Sequence, residues 1–222
     1  MGISPDAAAS AGQLSAELLG AMAYGELSAF GRLSLDSRYA PTLHDRSVFA
    51  KIAVGAYGNF ALLNDRLSEM GVDPEQAMLP FQRSFDHFHE RTKPGDWFES
   101  VMKAYVIDTV SSDFYRAVSM FLDPTTRHFV ERVASPDQAT EVLRVLIRRA
   151  LADDPRLASR LALWGRRLVG EALTQAQRVG MEHPLLGPLL KGGGDARAAV
   201  RSLTTELADK HGRRMTGLGL TA

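Results

Sequence analysis

The sequence predicts an all-α bundle, and three observations carry that prediction. Apolar residues recur at three- and four-residue intervals along most of the chain. Between those stretches stand repeated helix starts, in which Asp or Ser precedes Pro or lies three residues before Glu or Gln. No stretch alternates apolar and polar residues between turn signals, and no internal repeat occurs, so no sheet is expected.

Taken in order, residues 1–13 are small and polar and are expected to be loose. A first helix spans about 14–33, with Leu19, Met22, Glu26, Ala29 and Leu33 on one face. A loop containing Pro41 follows, over 36–46. The second helix, about 47–70, turns Phe49, Ile52, Ala56, Asn59, Leu63 and Leu67 inward and stops at Gly71. A long connection to Gly95 holds the start Asp73-Pro74 and a short piece opened by Pro80.

Asp96 caps the third helix, with Glu99 three residues on. It runs to about Phe121 and carries Trp97, Val101, Tyr105, Asp108, Ser112 and Tyr115 along one side. Asp123-Pro124 begins a fourth helix that stops near Ala134, and Ser135-Pro136-Asp137-Gln138 starts another that reaches Leu151. Asp154-Pro155 caps a long helix to about Gly180, with Leu157, Leu161, Trp164, Leu168, Glu171 and Gln175 on one stripe. Gly192-Gly193-Gly194 is a break before a last amphipathic helix over about 196–210. The expected organisation is a loose N-terminus (1–13), one bundle (14–185), and a glycine break with a C-terminal helix (186–222).

The chain's 222 residues suffice for one substantial core. Its 26 basic and 26 acidic residues give no global field toward nucleic acid or membrane. Cysteine is absent, which excludes disulfides, thiolate metal sites and thiol nucleophiles. No apolar run is long enough to span a bilayer and no signal peptide is evident, so the cytoplasm is the default expectation.

Two acids stand out. Glu26 lies between Met22 and Ala29 on an apolar stripe, where a carboxylate must be paired, protonated or metal-bound. Its bland alternative is an internal partner such as Arg32 or Tyr24. Asp108 repeats the signal on the third helix, and two inward carboxylates suggest a metal pair or an acid/base pair. Asp113, about 140° around that helix, reads as structural. Glu171 reads more readily as an ion pair with Arg166 or Arg167. His87 and His89 are two residues apart and diverge on a helix, so solvated side chains are expected there.

No His follows a Glu at the third position anywhere. A di-iron bundle wants that pair on each of two helices, because such residues share a face. No phosphate-cradling glycine loop and no nucleophile elbow occurs. The basic pairs Arg148-Arg149, Arg166-Arg167 and Arg213-Arg214 are dispersed and read as solvated faces unless folding gathers them.

Three stretches carry a resemblance: AYGELSAFGRL (23–33), KAYVIDTVSSDFYR (103–116) and RLALWGRRLVGEALTQAQRV (160–179). They resemble actinobacterial ferritin-like proteins related to the tRNA hydroxylase that acts on methylthio-isopentenyl-adenosine. The resemblance spans about residues 14–185. It implies a ferritin-like helical bundle, here with extra C-terminal helices, whose relatives hold an oxygen-activating di-iron centre. Carried over position by position, the first-helix ligand falls on Glu26 and the third-helix carboxylate on Asp108. The two Glu-x-x-His pairs fall on Ala56 and Asn59, and on Ser135 and Gln138, none of which supplies the expected donor.

The expectation is a ferritin-like bundle without its di-iron centre and with no other cofactor. Its central pocket, formed by Ala56, Asn59, Tyr105, Ser112, Tyr115, Gln138 and Glu171, would bind a small, partly apolar molecule. Glu26 and Asp108 would serve as acid and base in an isomerisation, dehydration or cyclisation. A non-catalytic scaffold and a di-iron tRNA hydroxylase are the alternatives, the latter only if the ligands are misplaced. The expected partner is a small molecule; nucleic acid and membrane are not expected, and homo-oligomerisation stays open.

Overall fold

The computed structural model describes residues 5–135, 138–182 and 196–221, with side-chain environments over 11–135, 139–176 and 202–221. The helices are α1 (Pro5–Asp36), α2 (Leu43–Glu69), α3 (Pro74–Arg91), α4 (Trp97–Ser119), α5 (Pro124–Val133), α6 (Gln138–Asp153), α7 (Leu157–Glu182) and α8 (Ala196–Gly217). A 3-10 turn, Ser37–Tyr39, joins α1 to α2. No strand occurs among the described residues.

The last helix runs on to Gly217, past the expected end near 210, and three others extend beyond the sequence expectation, each for a local reason. α1 begins at Pro5, well before Leu14, because proline suits a first helical position and the alanines behind it are the best helix formers. α2 begins at Leu43. The Thr42 hydroxyl accepts from the Asp45 amide at 3.0 Å and donates to the Asp45 carboxylate at 2.8 Å, a cap inside the expected loop. α3 replaces the long connection. Asp73 accepts from the Glu75 and Gln76 amides, and the helix continues through Pro80 to Arg91. The stripe Phe81, Phe85 and Phe88 buries that helix against the bundle despite the bond lost at Pro80.

The Asp96 start is as expected. Asp96 accepts from the Glu99 amide at 2.9 Å, while the Glu99 carboxylate accepts from the Gly95 amide at 2.8 Å. α4 is the central element and packs against α1, α5, α6, α7 and α8. The Trp164 indole of α7 donates to the Glu99 carbonyl at 3.0 Å and fixes α7 on α4.

One apolar cluster joins Phe49, Trp97, Val101, Val106, Leu143 and Leu168 from α2, α4, α6 and α7. A second joins Leu18, Leu19, Met22, Leu63, Phe81 and Val118 from α1 to α4. Each such buried side chain contributes about 1.5–3 kcal/mol. α1 and α3 approach so closely that a Cβ on Gly20 would lie 2.2 Å from the Ala77 carbonyl oxygen.

The C-terminal helix shares this core. Met215, Leu218 and Leu220 belong to the first cluster, and a Cβ on Gly165 would lie 2.5 Å from Met215 Cε. α8 is thus a wall of the bundle, whereas its predicted glycine break at 192–194 lies outside the described residues.

Candidate functional site

A cavity of about 480 Å3 opens between α1, α2, α3, α4, α6 and α7, within the range of small-molecule sites. Its wall is mostly apolar, with Ile52, Phe85, Phe88, Val110, Phe114 and Leu143 among the lining residues. Glu26, Ala56, Asn59, Ser112 and Tyr115 all line it, so the helical register in the sequence places five expected residues on one surface. Glu26 and Asn59 are half-buried, while Ala56 and Tyr115 are buried. Burial first, and then the Glu26 charge, push the Tyr115 phenol well above its ordinary pKa. Tyr115 therefore stays protonated and can act as a donor beside that acid.

Three expectations change. Asp108 does line the cavity, but it is exposed at the rim rather than buried, and its carboxylate accepts from the Thr140 hydroxyl of α6 at 2.6 Å. Tyr105 is buried elsewhere. It lines a separate cleft with Asp113, Arg144, Lys210, Arg213 and Arg214, because Tyr105 is three residues and about 60° from Asp108 around α4.

Glu171 also leaves the cavity. Its two carboxylate oxygens take Arg91 of α3 at 2.8 and 3.0 Å. The expected partner Arg167 instead lies over the Trp164 ring and donates to the Arg91 carbonyl. The Arg91 hydrogen bond is the main reason the Glu171 carboxyl sits below its ordinary pKa. The backbone of Gln138 begins α6, but its side chain lies outside the described residues, as do Pro136 and His183. Ser135 is exposed at the end of α5.

The sequence reading missed a cationic end of the same cavity. Arg32 and His89 both line it. Among the described residues, Arg32 Nε and Nη1 and His89 Nδ1 are buried without a hydrogen-bond partner. Behind them Lys103, buried in α4, donates from Nζ to the Thr92 carbonyl at 2.9 Å and lies 5.5 Å over the Phe88 ring. Burial, with Arg32 adding to it and Asp36 opposing, lowers the Lys103 pKa to about 6. Burial, then Arg32 and Lys103, lowers that of His89 to about 2, so its imidazole is neutral. A sequence signal existed. Arg32 stands three residues after Ala29 on the inward face of α1, and His89 four after Phe85. The second becomes visible only once α3 runs as one helix, because the 3.6-residue spacing of Phe85 and His89 has meaning only on a continuous helix.

A helical bundle with a cavity between its helices, lined by Glu26 of α1 and Asp108 of α4, is the kind of architecture in which ferritin-like proteins build their sites. The chain belongs to the family described as "Ferritin-like domain, actinomycetes", matched over residues 11–193. α8 lies beyond that match. Among solved structures, the fold is similar to that of "Protein 19 with aldehyde deformylating oxidase activity" from Synechococcus, with a TM-score of 0.60, 16% identity, and 92% of each chain covered. No curated protein matches the sequence.

The di-iron centre implied by the resemblance can be tested against the donors present. Ala56 offers no donor atom and Asn59 only a neutral amide, where an Glu-x-x-His pair would supply a carboxylate and an imidazole. Among the described residues no three His, Cys, Asp or Glu side chains gather into a metal-binding group. Glu26 and Asp108 fall short of the roughly six protein ligands of such a site. The residues described do not fit two iron ions.

Proposed function

We propose that this chain is a ferritin-like bundle repurposed to bind a small, partly apolar organic molecule where its relatives hold metal. The observation that carries this reading is the cavity itself: an apolar-walled space of about 480 Å3 at whose surface Ala56 and Asn59 stand in the ligand register. Glu26 is the acid/base candidate. It faces the cavity beside Tyr115, which supplies a protonated hydroxyl. A carboxylate in such surroundings can take a proton from one atom and, as the acid so formed, give it to another, a neighbouring carbon in an isomerisation or the hydroxyl that leaves as water in a dehydration, while the phenol steadies the oxygen that gains charge. Isomerisation, dehydration and cyclisation share that requirement. Asp108, at the rim, is placed to act at the entrance and not at the buried end.

Two measurements test the reading. Metal analysis of protein expressed with added iron is expected to give well under one iron per chain, and about two would overturn it. Native mass spectrometry and solvent extraction of the purified chain are expected to reveal an organic molecule. Val142→Trp, which fills the cavity, is expected to expel it. Unchanged retention in a folded Val142→Trp chain would place the ligand elsewhere.

A further inference from the structure

We propose that the ligand enters this cavity with an acid head group, a carboxylate seated between Arg32 and His89, its apolar remainder running past Ile52 and Phe88 toward Glu26. The inference rests on the cavity-binding reading above and names the ligand class.

The cationic end of the cavity has donors without acceptors. Among the described residues, Arg32 keeps two buried N–H-bearing nitrogens, Nε and Nη1, without a partner, and the neutral His89 leaves Nδ1 unpartnered, where its one N–H can sit. Lys103 already spends a hydrogen bond on the Thr92 carbonyl. Asp36, one turn further along α1, supplies a favourable field to Arg32 but no ion pair within 4.0 Å, and its own Oδ2 lacks a partner. A buried guanidinium left in this state is a standing cost unless something accepts from it. A carboxylate does so with two oxygens matched to the planar guanidinium fork.

The charges favour a carboxylate over a phosphate. His89 is neutral and the Lys103 pKa is pushed down to about 6, both mainly by burial, which leaves Arg32 as the cation at the buried end of the cavity; Lys51, the other cation on its wall, is exposed to solvent. One cation balances one carboxylate. A dianionic phosphate would arrive with more charge and more lone pairs than a guanidinium and an imidazole can satisfy away from water.

The geometry also orients the molecule. Arg32 follows Glu26 by six residues on α1, about 9 Å along the helix axis. A head held at Arg32 thus carries the chain of the ligand, not its carboxylate, to the Glu26 and Tyr115 end where proton transfer is assigned.

The experiment compares decanoate with decan-1-ol, the same chain without the charge, on the full protein by titration calorimetry. Decanoate is expected to bind about tenfold tighter or more. Arg32→Met is expected to lower decanoate affinity to that of decanol while leaving decanol unchanged, and Arg32→Lys to keep part of the preference. Equal affinity for acid and alcohol would overturn the acid-head inference while the cavity reading stood. Binding of neither, alongside an extracted organic molecule, would do the same. If Arg32→Met fails to fold, the acid–alcohol comparison in the unaltered chain still decides the matter.

Discussion

Two groups of buried or half-buried charge lie on either side of α4 and are built in opposite ways. In the cleft beneath α8, Asp113 has cations in contact: Arg214 Nη2 at 2.6 Å and Lys210 Nζ at 3.7 Å, with Lys210 also 2.8 Å from Glu206. At the inner end of the cavity, Arg32 has no carboxylate within ion-pair distance among the described residues, and Lys103 leans on a carbonyl and an aromatic face. The first group holds one helix to another. Arg214 Nη1 also lacks a hydrogen-bond partner among the described residues, but Arg214 has its acid, whereas the second group gathers its unmet hydrogen-bonding capacity at the wall of an apolar cavity. A ligand that accepts from Arg32 would remove that cost, so on the proposal above the contrast separates a charge kept for folding from one kept for binding.

The contrast can be broken by mutation, and the largest effect is expected at Asp113. Asp113→Ala leaves Arg214 and Lys210 half-buried without their acid and is expected to cost about 2–4 kcal/mol in urea denaturation. A loss near zero would mean that the cleft is no more structural than the cavity. Arg32→Met is expected to move stability the other way. Removing orphaned N–H groups from the ligand-free chain should stabilise it by about 1–2 kcal/mol, which for a chain of this size raises Tm by about 2–4 °C per kcal/mol. A drop in Tm would show that Arg32 supports the fold.

The smallest effect sharpens the rule with a pair that is only half buried. Asp45 is 1% exposed and lies 2.5 Å from Arg149, which is 49% exposed, so α2 is tied to α6 at the surface. Burial alone would raise the Asp45 pKa. Hydrogen bonds from Arg149 and Thr42 outweigh it and hold the carboxyl below its ordinary value. A depressed carboxyl contributes stability above its unfolded pKa of about 4 and loses it as pH falls through the folded value. Asp45→Asn is therefore expected to cost about 1 kcal/mol at pH 7, discounted for the solvated arginine. The difference from the unaltered chain should vanish in strong acid, as read from thermal melts at stepped pH. A gap that persists unchanged at the lowest pH would mean that the Thr42 cap geometry, and not the charge, is what matters.

Helix identity was legible because it is a local property. Asp73-Pro74, Asp96 with Glu99, and Asp123-Pro124 each satisfy or dispense with amide donors that an α-helix leaves open at its start, and all three begin helices here. The Thr42 cap and the continuity of α3 were misread because each contains a proline nearby, and a proline signals a break whether or not neighbouring helices bury the stretch that follows. The shared cavity face of Glu26, Ala56, Asn59, Ser112 and Tyr115 was legible for the same reason, since helical periodicity fixes which residues share a side.

What periodicity leaves open is which side faces which neighbour. Asp108 shares a stripe with Ser112 and Tyr115, yet its position near the end of α6 leaves it at the rim with Thr140. Glu171 was on an inward stripe, but α3 brought Arg91 to it across 80 positions of sequence. Arg32 and His89, 57 residues apart, acquire a common role only because α1 and α3 pack together around one space. The sequence by itself determined the helical class, the capped starts at Asp73, Asp96 and Asp123, and the absence of any Glu-x-x-His pair. The tertiary structure decided where charges find partners and where they do not, because an ion pair depends on distance in space and the chain specifies that only once its helices have packed.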